Sequence, residues 1–127
     1  MRRMILTQEP LSLEKVYQDV ATTKHGAVVT FSGNVRDTEN DAPIHSISYD
    51  VYEEMAGKEL HALVHQIEKK WKVKVSMQHR VGKVPIGEAS VVIACAGVHR
   101  KEAFEACAHL MEMIKERVPI WKVQFEE

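Results

Sequence analysis

The chain has 127 residues, 45% of them hydrophobic and 28% charged, with a formal net charge of −1. That length and balance fit a single domain, residues 1–127, with its own buried core, and exclude a disordered chain. The near-neutral total also excludes the strongly basic surface that non-specific nucleic-acid binding needs, while leaving room for a local cationic cluster.

The two cysteines, Cys95 in an apolar strand and Cys107 on the apolar side of a helix, read as buried structural thiols. There is no CxxC and no metal-ligand spacing, so neither a metal nor a cofactor is expected. No apolar run reaches the length of a membrane span, and the start, Met1 to Leu6, leads into Thr7-Gln8-Glu9-Pro10 rather than a signal-peptide core. With reduced thiols, the expected location is the cytoplasm, with no membrane partner.

Ile5-Leu6 reads as a short strand. Ser12 is placed to cap a helix whose apolar residues, Leu13, Val16, Tyr17 and Val20, recur at helical period. Gly26 is expected to close that helix in a left-handed cap. Ala27 to Ser32 is β-branched and apolar, a strand expected to be buried, and Asn34 to Pro43 is polar and loop-like. Ile44 to Tyr52 is a strand with Ile47, Tyr49 and Val51 on one face. Glu53 to Trp71 is a helix with an apolar stripe of Leu60, Leu63, Val64, Ile67 and Trp71.

Val73, Val75, Met77 and His79 then alternate with Lys72, Lys74, Ser76 and Gln78, which predicts a strand with one wet face. Val81 to Glu88 reads as a connection, with two glycines and a proline. Ala89 to Ala96 is the most apolar strand and is expected at the centre of the sheet. Ala103, Cys107, Leu110, Met111, Ile114 and Val118 fall on one arc of a third helix, with Lys115 at its rim. Pro119 stops that helix, and Ile120 to Phe125 is a last strand. The pattern predicts an α+β fold: a largely antiparallel sheet with three helices on one face.

Five residues stand out chemically. His99-Arg100 follow the apolar strand and open a helix, where outward N–H groups and a guanidinium fork favour an anion such as phosphate; a solvated helix start is the plain alternative. Lys115 and Lys122 are candidate bases, nucleophiles or acyl acceptors, or else two surface lysines. Arg36 lies in the polar loop after a strand end, where sites are commonly grafted. His61 and His65 are four residues apart on a helix, but no intervening Glu completes a metal motif, so they read as helix surface.

Taken together, Phe31-Ser32-Gly33-Asn34-Val35-Arg36, His79-Arg80-Val81-Gly82, Ala96-Gly97-Val98-His99-Arg100 and Lys115-Glu116-Arg117-Val118-Pro119-Ile120-Trp121-Lys122 resemble the large subunit of molybdopterin synthase, the MoaE family. The resemblance runs from about Ile5 to Lys122, and its most specific part is the K-x-x-x-P-x-W-K segment with an H-R upstream. It implies an α/β-hammerhead fold. It also implies a sulfurtransferase of molybdenum cofactor biosynthesis. Such an enzyme takes sulfur from the C-terminal thiocarboxylate of a small ubiquitin-like, MoaD-like subunit and places it on cyclic pyranopterin monophosphate. Two large subunits would form a central homodimer with a small subunit at each end, a heterotetramer.

By the same resemblance, Arg36, His99 and Arg100 would hold the substrate phosphate. Lys115 would be the central catalytic lysine, Lys122 a second lysine shaping the pocket, and Phe31 and Met111 its lining. Many family members continue past the tryptophan-lysine pair with a polar tail that helps cover the partner subunit, whereas this chain stops at Glu127; nothing is carried over onto the polar loop Asp37 to Pro43. The competing reading is a non-catalytic binding module for a ubiquitin-like tail or a phosphorylated ligand.

Overall fold

A computed structural model describes residues 4–126. Its main sheet has four strands in the order β1 (Met4–Thr7), β6 (Lys74–Arg80), β8 (Ala89–Gly97), β2 (Ala27–Asn34). Strand β1 runs parallel to β6, and the other neighbours are antiparallel. The apolar run Ala89 to Ala96 is central, as its composition predicts, because both of its faces are covered. Val91, Ile93 and Cys95 join the core formed with helices α2 (Glu53–Trp71) and α3 (Arg100–Arg117). Val92, Ala94 and Ala96 pack under helix α1 (Leu13–Val20) against Val16 and Val20.

The helices therefore lie on both faces of the sheet, which corrects the expectation of one. The same helix explains a second correction. Strand β6 has no wet face: Ser76 and Gln78 are buried beneath α1. Their polar groups are paired, Ser76 Oγ donating to Asp19 at 2.8 Å and Gln78 Oε1 accepting from the Ser12 N–H at 2.9 Å. Ser12 also caps α1, accepting from the Lys15 N–H at 3.1 Å.

Helix α1 ends at Val20 with an extended Ala21, so Gly26 is not its cap. Gly26 serves a different need: a Cβ there would sit 2.8 Å from the Val98 carbonyl oxygen. Only a glycine lets the start of β2 pass the turn that carries His99. Strand β2 is itself an edge of the sheet, with Thr30, Phe31 and Ser32 exposed, rather than a buried strand.

A second sheet has the order β7 (Gly82–Pro85), β5 (Ser46–Val51), β9 (Ile120–Glu126). The segment expected to be a plain connection thus supplies β7, opened by Gly82 at φ +80°. Val35, Ile44, Ile47 and Val84 form this sheet's own core with Tyr49. The polar stretch after β2 holds a short hairpin, β3 (Thr38–Glu39) and β4 (Ala42–Pro43). Asn40 and Asp41 turn it at φ +52° and +65°, the left-handed pair of a type I′ turn.

Candidate active site

Helix α3 organises the candidate residues. Leaving β8 at Gly97, it folds back along edge strand β2, because its buried stripe of Ala103, Cys107, Leu110 and Ile114 must cover one face of the sheet. A groove of about 390 Å³ runs between the two elements. Phe31 and Thr30 line it from β2; Phe104, Met111 and Lys115 line it from α3. Three of the predicted positions, Phe31, Met111 and Lys115, are thus brought together. Phe104, 60% exposed, extends the apolar wall toward the helix start.

Lys115 is exposed in the last turn of α3. No described carboxylate lies within ion-pair distance of it, so its amine is not committed to a neighbour. Arg36 is also exposed, two residues past the end of β2 toward which α3 runs. Its buried neighbour Val35 fixes the backbone there, accepting from the Gly87 N–H at 2.8 Å and donating to the Glu88 carbonyl at 2.9 Å.

His99 and Arg100 are at the other end. His99 is the N-cap residue of α3, exposed, with no side-chain cap hydrogen bond. Fifteen residues of helix separate Arg100 from Lys115, about 22 Å at 1.5 Å per residue. Within one chain the anion-binding pair and the central lysine do not converge.

Lys122 sits on β9 opposite Tyr49, beside a bulge in β9 where Val123 has no partner between Ser48 and Tyr49. Its amine lies 3.6 Å from Glu39 Oε1, a carboxylate from the hairpin. Nothing in the local sequence marks Glu39, because its partner is on a different sheet strand far along the chain.

The His79-Arg80 motif has a structural task. Both residues are buried. Arg80 pairs with Glu88 and donates through Nε to the Gln8 carbonyl at 3.2 Å, which ties β1 to the start of β7. The His79 ring meets Tyr49 edge-on at 5.6 Å, and its Nδ1 lies 2.8 Å from the Arg80 carbonyl. Burial pushes its pKa below the ordinary 6.5, against the opposing effect of that hydrogen bond. The carbonyl partner requires the proton on Nδ1.

The cysteines face each other across the β8–α3 interface. The hydrogen bond with Cys107, together with burial, holds the Cys95 thiol well above the usual range, and the same bond lowers that of Cys107. Cys107 also touches the Lys115 groove. A larger cavity of about 830 Å³, between β1 and α2, contains His61 and His65 but none of the five residues Arg36, His99, Arg100, Lys115 and Lys122. Among the described residues no cluster could hold a metal ion, and no helix is long and apolar enough to cross a membrane.

The family profile described as "MoaE protein" matches residues 6–117. The molybdopterin synthase catalytic subunit of Bacillus subtilis (strain 168) is 39% identical, over all of this chain and 82% of that protein. The crystal structure of molybdopterin synthase from Staphylococcus aureus superposes with a TM-score of 0.94 at 34% identity, covering all of this chain and 93% of that one. A chain in the complex of subunits 1 and 2 of molybdopterin-converting factor from Helicobacter pylori 26695 superposes with a TM-score of 0.80 at 30% identity, covering 97% of this chain and 88% of that one. A two-sheet architecture shared over the whole chain, and a sequence match that takes in β2, His99-Arg100 and Lys115, make this chain a member of the MoaE family.

Proposed function

We propose that this chain is the catalytic subunit of a molybdopterin synthase, a sulfurtransferase acting in molybdenum cofactor biosynthesis. It works with a small ubiquitin-like sulfur carrier on cyclic pyranopterin monophosphate. The observation that carries this reading is the groove between β2 and α3, which ends at an uncommitted lysine. A groove walled by Phe31, Phe104 and Met111 suits an extended tail ending in glycines, which bring no side chains and let backbone approach closely. The thiocarboxylate at the end of that tail then lies beside Lys115. The sulfur attacks a substrate carbon as an oxygen leaving group departs from that carbon, and water then cleaves the acyl–sulfur bond, returning the tail as a carboxylate and leaving the sulfur on the substrate as a thiolate. Lys115 offsets the charge that develops on the acyl oxygen and relays protons.

The phosphate of the substrate needs Arg36, His99 and Arg100 together, and a second copy of the chain supplies the missing pair. Strand β2 is an unpaired edge with exposed Phe31, and Phe104 stands beside it. A two-fold axis through the middle of β2 would run it antiparallel to its copy. The His99 end of one chain would then meet the Lys115 and Arg36 end of the other. Such a homodimer would also satisfy the open edge. With one carrier subunit per groove, the assembly is a heterotetramer.

Mixed dimers test this. Lys115→Ala and Arg100→Ala are each expected to abolish product formation. Mixing the two and allowing exchange regenerates one intact site per hybrid dimer, up to about a quarter of wild-type activity for random pairing. If no activity returns although hybrids form, His99 and Arg100 do not act across the dimer.

A further inference from the structure

The two lysines differ in one respect: Lys115 has no carboxylate partner among the described residues, whereas Lys122 has Glu39. We propose that Glu39 is a positioning residue, holding the Lys122 amine in its working orientation from the β3–β4 hairpin. The inference rests on the sulfurtransferase reading of the site.

Three observations set this contact apart from an ordinary surface ion pair. First, it is long-range and partly sheltered. Two other lysine pairs, Lys15–Asp19 and Lys58–Glu54, are one-turn helix pairs, the latter in open solvent. Glu39 instead reaches a strand of another sheet, with its side chain only 18% exposed.

Second, the carboxylate stands on a fixed support. The left-handed Asn40-Asp41 turn sets the hairpin, and the Ile44 N–H donates to the Asp37 carbonyl at 2.9 Å to close its base. Val35 and Ile44 anchor both ends in the core of the second sheet. Third, β9 carries a bulge at Val123, directly after Lys122, and a bulge re-aims the residues around it. Arg36 begins the segment that Glu39 continues, so one short stretch of chain would set a phosphate ligand and the second lysine in register.

This arrangement divides the work. Lys115 stays free to approach the acyl centre, while Lys122 is a cation kept in place. Removing the Glu39 charge should therefore slow turnover without weakening binding of the anionic substrate, because a negative charge beside an anion site does not help that anion bind.

The test uses the assembled complex with a thiocarboxylated carrier subunit. Glu39→Gln is expected to lower the single-turnover rate roughly fivefold, the upper range for such a pair, with no rise in KM for cyclic pyranopterin monophosphate and an unchanged Tm. Glu39→Asp should recover part of the rate. In a Lys122→Ala background, Glu39→Gln should have no further effect, since the partner through which it acts is gone. A second readout needs no turnover: acetic anhydride labelling, mapped by mass spectrometry, should rise at Lys122 and not at Lys115 in Glu39→Gln. Equal rates for Glu39→Gln and wild type, a full additive loss on top of Lys122→Ala, or unchanged Lys122 labelling would each overturn the proposal. Altered labelling in a complex whose wild type makes no product would instead sink the sulfurtransferase reading and leave the ion pair standing.

Discussion

Replacing Gly26 with alanine puts a methyl carbon 2.8 Å from the Val98 carbonyl oxygen, closer than real Cβ atoms approach. The obstacle is backbone, so it cannot swing aside as a side-chain end would. Gly26 is not in the left-handed region, so alanine fits its torsion angles and the cost is steric alone. Overpacking of this kind costs roughly 1–3 kcal/mol. At about 4 °C per kcal/mol for a domain of this size, the midpoint of that range lowers Tm by about 8 °C. The displaced turn carries His99 and Arg100, so KM for the phosphorylated substrate should rise as well. Gly57→Ala is the control: nothing lies within 4 Å of its Cβ position in helix α2, so the change should stabilise the protein by about 0.5–1 kcal/mol. Thermal and urea unfolding of the two variants measure both effects. A Gly26→Ala protein that melts with the wild type would refute the steric reasoning and the role assigned to this glycine.

Two further predictions follow from titration and burial. His79 has a folded-state pKa below its ordinary 6.5, so the unfolded chain binds the proton more readily. Its stability contribution is therefore full above 6.5 and is lost as pH falls below that and through the lowered folded value, with a slope of at most about 1.4 kcal/mol per pH unit; His79→Gln should flatten the dependence of urea midpoints on pH in that acid range. Iodoacetamide should label Cys107 first, because its thiol is lowered by Cys95 and touches the groove, and Cys95 only on unfolding. Peptide mapping that finds Cys95 modified in the native state would contradict the paired, buried arrangement.

Local periodicity made some of this legible. Glu53 to Trp71 shows a helical stripe clear enough to set the bounds of α2, and the run from Ala89 to Ala96 is apolar without alternation because both of its faces are covered. The failures have a common physical origin in long-range cover. Ser76 and Gln78 are polar yet buried, because α1 brings Asp19 and the Ser12 N–H to meet them. Ala27 to Ser32 is β-branched and apolar enough to read as a buried strand yet forms an edge, a distinction composition does not encode. Strand β7 was hidden by Pro85 and two glycines, since its pairing with β5 is set far along the chain. At the site, Phe31, Met111 and Lys115 share a groove, but the reach of α3 parts His99-Arg100 from them. Glu39 left no local signal at all, because only the folding of β9 beside the hairpin gives it a partner.

The central claim is sulfur transfer at the Lys115 end of the β2–α3 groove. Its most direct test is a single-turnover reaction of this chain with the thiocarboxylated carrier subunit and cyclic pyranopterin monophosphate, followed by detection of the dithiolene product. The wild type should form product, and Lys115→Ala should bind the carrier subunit with an unchanged Tm and form none. Near-normal product from Lys115→Ala would contradict the account, as would a wild-type complex that assembles with both partners and leaves the thiocarboxylate intact.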